Sequence, residues 1–140
     1  MATAAADRAG RSVLIPAPGP ARWMVDSIVG YRMPPMPSVH RGMPSPYLTL
    51  VFSLAGALPI DIPLGGGSAG SRAWSGEFLI PLGGLHSRAV LLSPKGPQVG
   101  IQLAVNPLAS PRLFGMPASE LLGQVIEFDQ TPPANGSPIA

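Results

Sequence analysis

Nineteen prolines and 17 glycines in 140 residues fall between short aliphatic runs, and this spacing constrains the fold more than any other feature. Proline cannot donate to a hydrogen-bond ladder and glycine weakens helices and strands alike, so both residues punctuate rather than continue regular structure. The pattern predicts many short extended segments joined by tight turns, hence a mainly β domain. Hydrophobic residues are 46% of the chain and mean hydropathy is +0.30, which argues for a packed core rather than a solvated polymer.

The strands announce themselves by their period. Tyr47 to Leu54 alternates strictly, with Leu48, Leu50, Phe52 and Leu54 on one face and Tyr47, Thr49, Val51 and Ser53 on the other. Ala55-Gly56 reads as a turn into a partner strand over 58–62. Residues 98–105 alternate again: Val99, Ile101, Leu103 and Val105 share one face, and Gly100, Gln102 and Ala104 the other. That second face is thin and partly polar, suited to lining a pocket. Shorter strands are expected at 12–15, 24–31, 77–82, 87–92 and 125–128, with loops at 33–37, 63–76 and 94–97. After Pro107 the period changes. Ser110-Pro111 offers an N-cap followed by proline at the first helical position, with Gly115 as a stop, and a second helical turn spans 117–122 before Gly123. The total is seven to nine strands and two short helical segments, a β-barrel or sandwich with helices packed late against it. Residues 1–10 read as a flexible N-terminal tail, 11–129 as one domain, and 130–140 as a disordered C-terminal tail.

Charge excludes more than it suggests. The sequence pI is 9.7, yet net charge is only +2, and the nine basic residues are scattered from Arg8 to Arg112. A duplex reader neutralising roughly 6–10 phosphates needs them clustered. With no cysteine there is no disulfide framework and no thiolate metal site. The segment 1–10 has Asp7 and Arg8 and no apolar signal region, and no apolar run approaches the ~18 residues of a bilayer span, so a cytoplasmic setting is expected without membrane contact.

Three motif matches invite chemistry. Gly65 to Gly70 satisfies the G-x-G-x-x-G dinucleotide pattern, but no convincing helix follows and no acid stands about 20 residues on. Gly66-Gly67-Ser68-Ala69-Gly70 matches the G-x-S-x-G nucleophile elbow, with Glu77 and His86 following in hydrolase order, yet the elbow belongs to a large parallel sheet. A metal site would have to combine His40 and His86 with carboxylates such as Asp61 or Glu77, and their spacing does not ask for it. In each case the plainer reading is favoured: a Gly-rich loop, a flexible serine, histidines bonded to backbone. Trp23, Trp74, Tyr31 and Tyr47 read as core residues before pocket walls. The expectation is no enzyme, no catalytic residue, no metal and no cofactor.

Four blocks in order carry a resemblance. Pro44-Ser45-Pro46-Tyr47-Leu48-Thr49-Leu50-Val51-Phe52-Ser53-Leu54 resembles a central strand in the N-terminal domain of one bacterial branch of AraC-family transcription regulators. Gly84-Leu85-His86-Ser87-Arg88 resembles that branch's Gly-Leu-His-Thr-Arg turn. Gly100-Ile101-Gln102-Leu103 with Pro107-Leu108-Ala109-Ser110 resembles the next block, and 113–122 the last; Gly30-Tyr31-Arg32 agrees more weakly. The resemblance covers about residues 12–129. It implies a cupin-like β-barrel or sandwich that senses a small-molecule effector or mediates dimer contacts, as a homodimer or as a mixed dimer with a full-length regulator. The family's DNA-binding pair of helix-turn-helix motifs has no counterpart here, because the chain turns into Thr131-Pro132-Pro133-Ala134-Asn135-Gly136, so no DNA-binding residue is expected. A truncated gene, a frameshift product and a natural stand-alone sensor are all open.

Ligand contacts are therefore expected from Gln102 on the thin strand face and from His86, Arg88 and Tyr31. The rival readings are a small cupin-like or serine-dependent enzyme, which Ser68→Ala would inactivate, and an interaction protein that forms mixed dimers through its long apolar strands.

Overall fold

The computed structural model describes residues 10–35, 39–63 and 72–130. Those residues form ten strands in two antiparallel sheets, so the mainly β expectation holds. The larger sheet has six strands, in the spatial order β1 (Arg11–Ile15), β2 (Val25–Met33), β9 (Gln98–Val105), β4 (Leu48–Ser53), β7 (Pro81–Gly83) and β10 (Val125–Glu127). The smaller has four, in the order β3 (His40–Gly42), β8 (Val90–Leu92), β5 (Leu58–Pro63) and β6 (Arg72–Phe78). Of the expected tails at 1–10 and 130–140, all but Gly10 and Gln130 lie outside the described residues, as do both glycine motifs and Ser68.

The two alternating strands behave as their period dictates. β9 runs antiparallel between β2 and β4, with Gln102 opposite Val29 on one side and Val51 on the other. The even-numbered face of β4 (Leu48, Leu50, Phe52) and the odd-numbered face of β9 (Leu103, Val105) point to the outer side of the large sheet. There they meet the C-terminal helical layer, whose helix α1 (Ser110–Phe114) and 3-10 turn Ala118–Leu121 supply Phe114 and Leu121. Leu48, Leu82, Val105, Phe114 and Leu121 are essentially fully buried in this outer core. Each contributes roughly 1.5–3 kcal/mol relative to an exposed side chain. Phe128 closes the layer, its ring edge-on to Phe114 at 6.0 Å and to Phe52 at 6.4 Å. The inner side of the fold is a second core, in which Leu58, Ile60 and Phe78 of the small sheet meet Val125 of the large one, with Val51 packed against them.

Several expectations need correction. The partner expected for 47–54 across the turn at 55–56 is not its partner: β5 belongs to the other sheet and pairs with β6 and β8. The 54–57 turn is a crossing between sheets rather than a hairpin. It is fixed by Gly56, whose φ of +100° suits no side-chain-bearing residue, and by the Ser53 hydroxyl donating to the Gly56 carbonyl. The strand expected over 77–82 is two strands. The chain bends at Leu79-Ile80, leaving the small sheet for the large, and the Glu127 carboxylate accepts from both exposed amides, Leu79 N–H at 3.1 Å and Ile80 N–H at 2.6 Å. Phe128 N–H bonds the Ile80 carbonyl and Ser53 N–H the Leu79 carbonyl, so every backbone group of the bend that the strands cannot satisfy is held. The loop expected over 63–76 is strand from Arg72 onward. β3 arises within a proline-rich stretch that shows no period, and pairs only with β8. Finally, the helix cap is Asn106 rather than Ser110. A 3-10 turn at Pro107–Ala109 runs directly into α1, the Asn106 side chain accepts from Leu108 N–H, and Ser110 is left wholly buried. Gly115 ends α1 in the left-handed conformation at φ +71°, as its position suggests. Further 3-10 turns at Gly19–Ala21 and Phe128–Gln130 raise the helical pieces above the two expected.

No helix among the described residues is long and apolar enough to cross a membrane.

Candidate functional site

Between the inner faces of the two sheets lies a cavity of about 570 Å³. That is within the ~300–1,000 Å³ usual for small-molecule sites. Its floor is the inner face of β2, β9 and β4, and its roof the inner face of β8 and β5. The floor is built by register: Leu14 pairs Val29, Val29 pairs Gln102, and Gln102 pairs Val51, so one polar side chain stands in a row of aliphatic ones. β9 is an interior strand of the sheet, yet Gln102 is exposed, because the space above it is the cavity. No protein group hydrogen-bonds its carboxamide among the described residues. Gln98, four residues earlier, is on the same face and lines the same space.

Gly100 sits between the two glutamines for a steric reason. A Cβ there would stand 2.6 Å from the Tyr31 hydroxyl oxygen, 2.8 Å from its Cζ, and 2.7 Å from the Phe52 carbonyl oxygen. The Tyr31 ring therefore lies across Gly100, its partner in the β2–β9 ladder, where any side chain would displace it. Burial pushes the Tyr31 phenol up from its ordinary value, keeping it neutral.

His86 enters from the 84–89 crossing between β7 and β8. The crossing is stitched to the C-terminal layer: Gly84 N–H donates to the Gln124 carbonyl at 2.9 Å and Gly123 N–H to the Leu85 carbonyl at 2.9 Å. Gly84 is required by close approach, since a Cβ there would land on the backbone of Leu121. Burial lowers the His86 pKa, and its hydrogen bond to the Gln124 backbone, which acts the other way, does not offset it. Nε2 of His86 is buried without a hydrogen-bond partner among the described residues. Tyr47, at the cavity edge, is also held neutral: the charge of Asp26 and a hydrogen bond to it raise the phenol.

Of the four site residues read from sequence, Tyr31, His86 and Gln102 line this one cavity; Arg88 is exposed and does not. Sequence reading missed Gln98, Thr49, Tyr47 and His40, which also line it. Gln98 was findable, because it continues the period-2 face of Gly100 and Gln102. His40 was not, because β3 has no periodic signal of its own.

The alternative chemistries gain little from the geometry. Among the described residues no group of three or more metal-ligating side chains converges. Glu77, the acid of the hydrolase order, is exposed and paired with Lys95 at 2.8 Å. Trp23, read as core, is about half exposed, and its carbonyl accepts from the Asn106 side chain. The Trp74 side chain lies outside the described residues.

Comparison of the chain with family models, curated proteins and solved structures found no match.

Proposed function

We propose that this chain is a cytoplasmic ligand-sensing domain of the AraC-regulator type, which takes a small-molecule effector between its two sheets. The observation that carries the reading is Gln102: an unbonded carboxamide on an interior strand, in an otherwise aliphatic row, facing a cavity of about 570 Å³. A strand position with no ligand to meet would be expected to carry an aliphatic residue like Val29 and Val51 beside it, whereas Gln102 holds an exposed, unbonded carboxamide over the cavity, the kind of polar anchor that orients a ligand in a mostly apolar pocket. The non-catalytic part of the reading rests on the lining, in which, among the described residues, no nucleophile is paired with a base. The regulator part rests on the four sequence blocks, three of which (47–54, 84–88 and 100–103) border the cavity or its floor.

A thermal-shift screen of small molecules on the wild type and on Val51→Trp, which puts an indole into the floor, tests the reading. A ligand at about 100 times its Kd stabilises by about 2.7 kcal/mol. At least one compound is expected to raise the wild-type Tm and leave the variant unmoved; a screen in which no compound separates the two overturns the reading.

The dimer contact of the same proposal is assigned to β1. This edge strand is paired only with β2, and Val13, Leu14 and Ile15 are 62%, 69% and 49% exposed. Edge strands are ordinarily protected against pairing by a charge or bulge, and in β1 the single charge, Arg11, stands at the start of the strand, away from the apolar Val13 to Ile15. Sedimentation equilibrium is expected to give a dimer that Leu14→Lys dissociates. A wild-type monomer at high concentration, with no mixed dimer formed with a full-length regulator, rejects this part.

A further inference from the structure

Among the described residues the charged side chains are kept out of the cavity interior, with Asp26 bonded to the Tyr47 hydroxyl at its edge, and this sets the kind of molecule it accepts. On the floor, Arg11 and Arg32 pair with one another across β1 and β2 on the outer face, opposite to Tyr31 and Val29. On the roof, Arg41 borders the cavity, but its ladder partner Leu91 does not, while Val90 and Leu92 on either side do. Alternation therefore puts the Arg41 side chain on the outer face, in register with Leu91 and Asp61. Glu77 is engaged with Lys95 outside, and Glu127 is committed to the Leu79-Ile80 bend.

The ionisable groups that do face the cavity are two tyrosines and two histidines. Each shift resolved among them favours the neutral form: both phenols are raised and the His86 imidazole is lowered. His40 is exposed at the end of β3, at the rim. What faces inward is an aliphatic enclosure formed by Val29, Val51, Leu58, Ile60, Val90 and Leu92, with the carboxamides of Gln98 and Gln102 as its neutral donors and acceptors.

Resting on the reading of this cavity as a binding site, we propose that its ligand is an uncharged, largely apolar molecule, carrying a carbonyl, amide or hydroxyl group that hydrogen-bonds Gln102. A carboxylate or an ammonium group moved from water into this enclosure meets no opposite charge, and an unpaired buried charge is far more costly than a bonded neutral group. A glutamine presents both a donor and an acceptor, so it discriminates in favour of a polar group without demanding a charged one.

Four molecules of one skeleton test this at pH 7.5 by calorimetric titration of the full chain: 2-methylnaphthalene, 2-naphthamide, 2-naphthoate and 2-naphthylmethylammonium. The amide is expected to bind at least about tenfold more tightly than either ion. Gln102→Leu is expected to bring the amide down to the affinity of the hydrocarbon while leaving the hydrocarbon's own affinity unchanged. Binding of the carboxylate or the ammonium as tight as that of the amide overturns the inference and leaves the cavity reading standing. Failure of all four to bind saturably overturns both. An amide preference that survives Gln102→Leu overturns the assignment of the hydrogen bond to that residue.

Discussion

Adding one methyl group at three glycines should give three very different costs, and the order is set by what each Cβ would meet. At Gly30, on the outer face of β2, an added Cβ meets nothing within 4 Å. Gly30→Ala is expected to be neutral or to stabilise by about 0.4–1 kcal/mol, because alanine restricts the unfolded chain. At Gly100 the Cβ would stand 2.6 Å from the Tyr31 hydroxyl oxygen and 2.7 Å from the Phe52 carbonyl oxygen. The tyrosine can swing into the cavity, but the carbonyl is held in the β4–β9 ladder. Gly100→Ala is expected to cost about 1–3 kcal/mol, the usual range for overpacking. At Gly84 the obstruction is the backbone of Leu121 itself, with no flexible side chain to yield. Gly84→Ala is expected to cost more than ~3 kcal/mol, because the 84–89 crossing must detach from the C-terminal layer. Urea denaturation reads all three as changes in midpoint at constant slope. For a domain of this size each kcal/mol also corresponds to about 3–4 °C in Tm. A double-mutant cycle sharpens the middle case: in a Tyr31→Ala background the cost of Gly100→Ala should fall without vanishing, since the carbonyl contact survives. If Gly84→Ala costs no more than Gly30→Ala, or if removing Tyr31 leaves the Gly100→Ala penalty unchanged, the packing argument is wrong.

Three other outcomes follow from the same geometry. Burial lowers the His86 pKa in the folded state from its ordinary value of 6.5, so as pH falls through that value the unfolded chain takes up a proton first. Its contribution to stability is thus complete above about pH 6.5 and declines as pH falls from there toward the folded pKa; the Tm–pH curve of His86→Gln should lack that decline, and parallel curves would refute it. Asn106→Ala removes the cap on Leu108 N–H and the tie to the Trp23 carbonyl, both at 3.0 Å, and should cost about 1–2 kcal/mol by urea titration, with no effect counting against the cap. Glu127→Gln leaves one acceptor for the two amides of the Leu79-Ile80 bend and replaces charge-assisted bonds with neutral ones; a loss of about 1–2 kcal/mol is expected, with faster amide exchange at Leu79 or Ile80, and unchanged exchange at both would contradict the role given to Glu127.

The sequence was legible where period and burial agree. β4 and β9 could be read residue by residue because one face of each is sealed by Phe114 and Leu121 and the other is turned to the cavity, so alternation is a physical requirement. The same alternation exposed Gln102 as out of place. Sheet membership was not legible. Leu58 to Ile62 looks like the hairpin partner of β4 because a turn separates them, but local sequence does not encode whether a turn returns to the same sheet or crosses to the next. The break at Leu79-Ile80 was hidden for a related reason: it depends on Glu127, 47 residues away from Ile80. β3 was hidden because its three residues gain their structure wholly from β8. Arg88 was grouped with His86 by adjacency in sequence, whereas the crossing turns His86 inward and leaves Arg88 exposed.

The most direct test of the cavity as a binding site is a two-dimensional NMR titration of isotope-labelled protein with 2-naphthamide, followed at side-chain resolution. The side-chain amides of Gln98 and Gln102 and the methyl groups of Val29, Val51 and Leu92 should shift together along one saturation curve, while Ile101 and Val13, on the outer face of the same sheet, stay still. Shifts confined to Ile101, Val13 and their outer-face neighbours, or no saturating shift at either glutamine, would contradict the account.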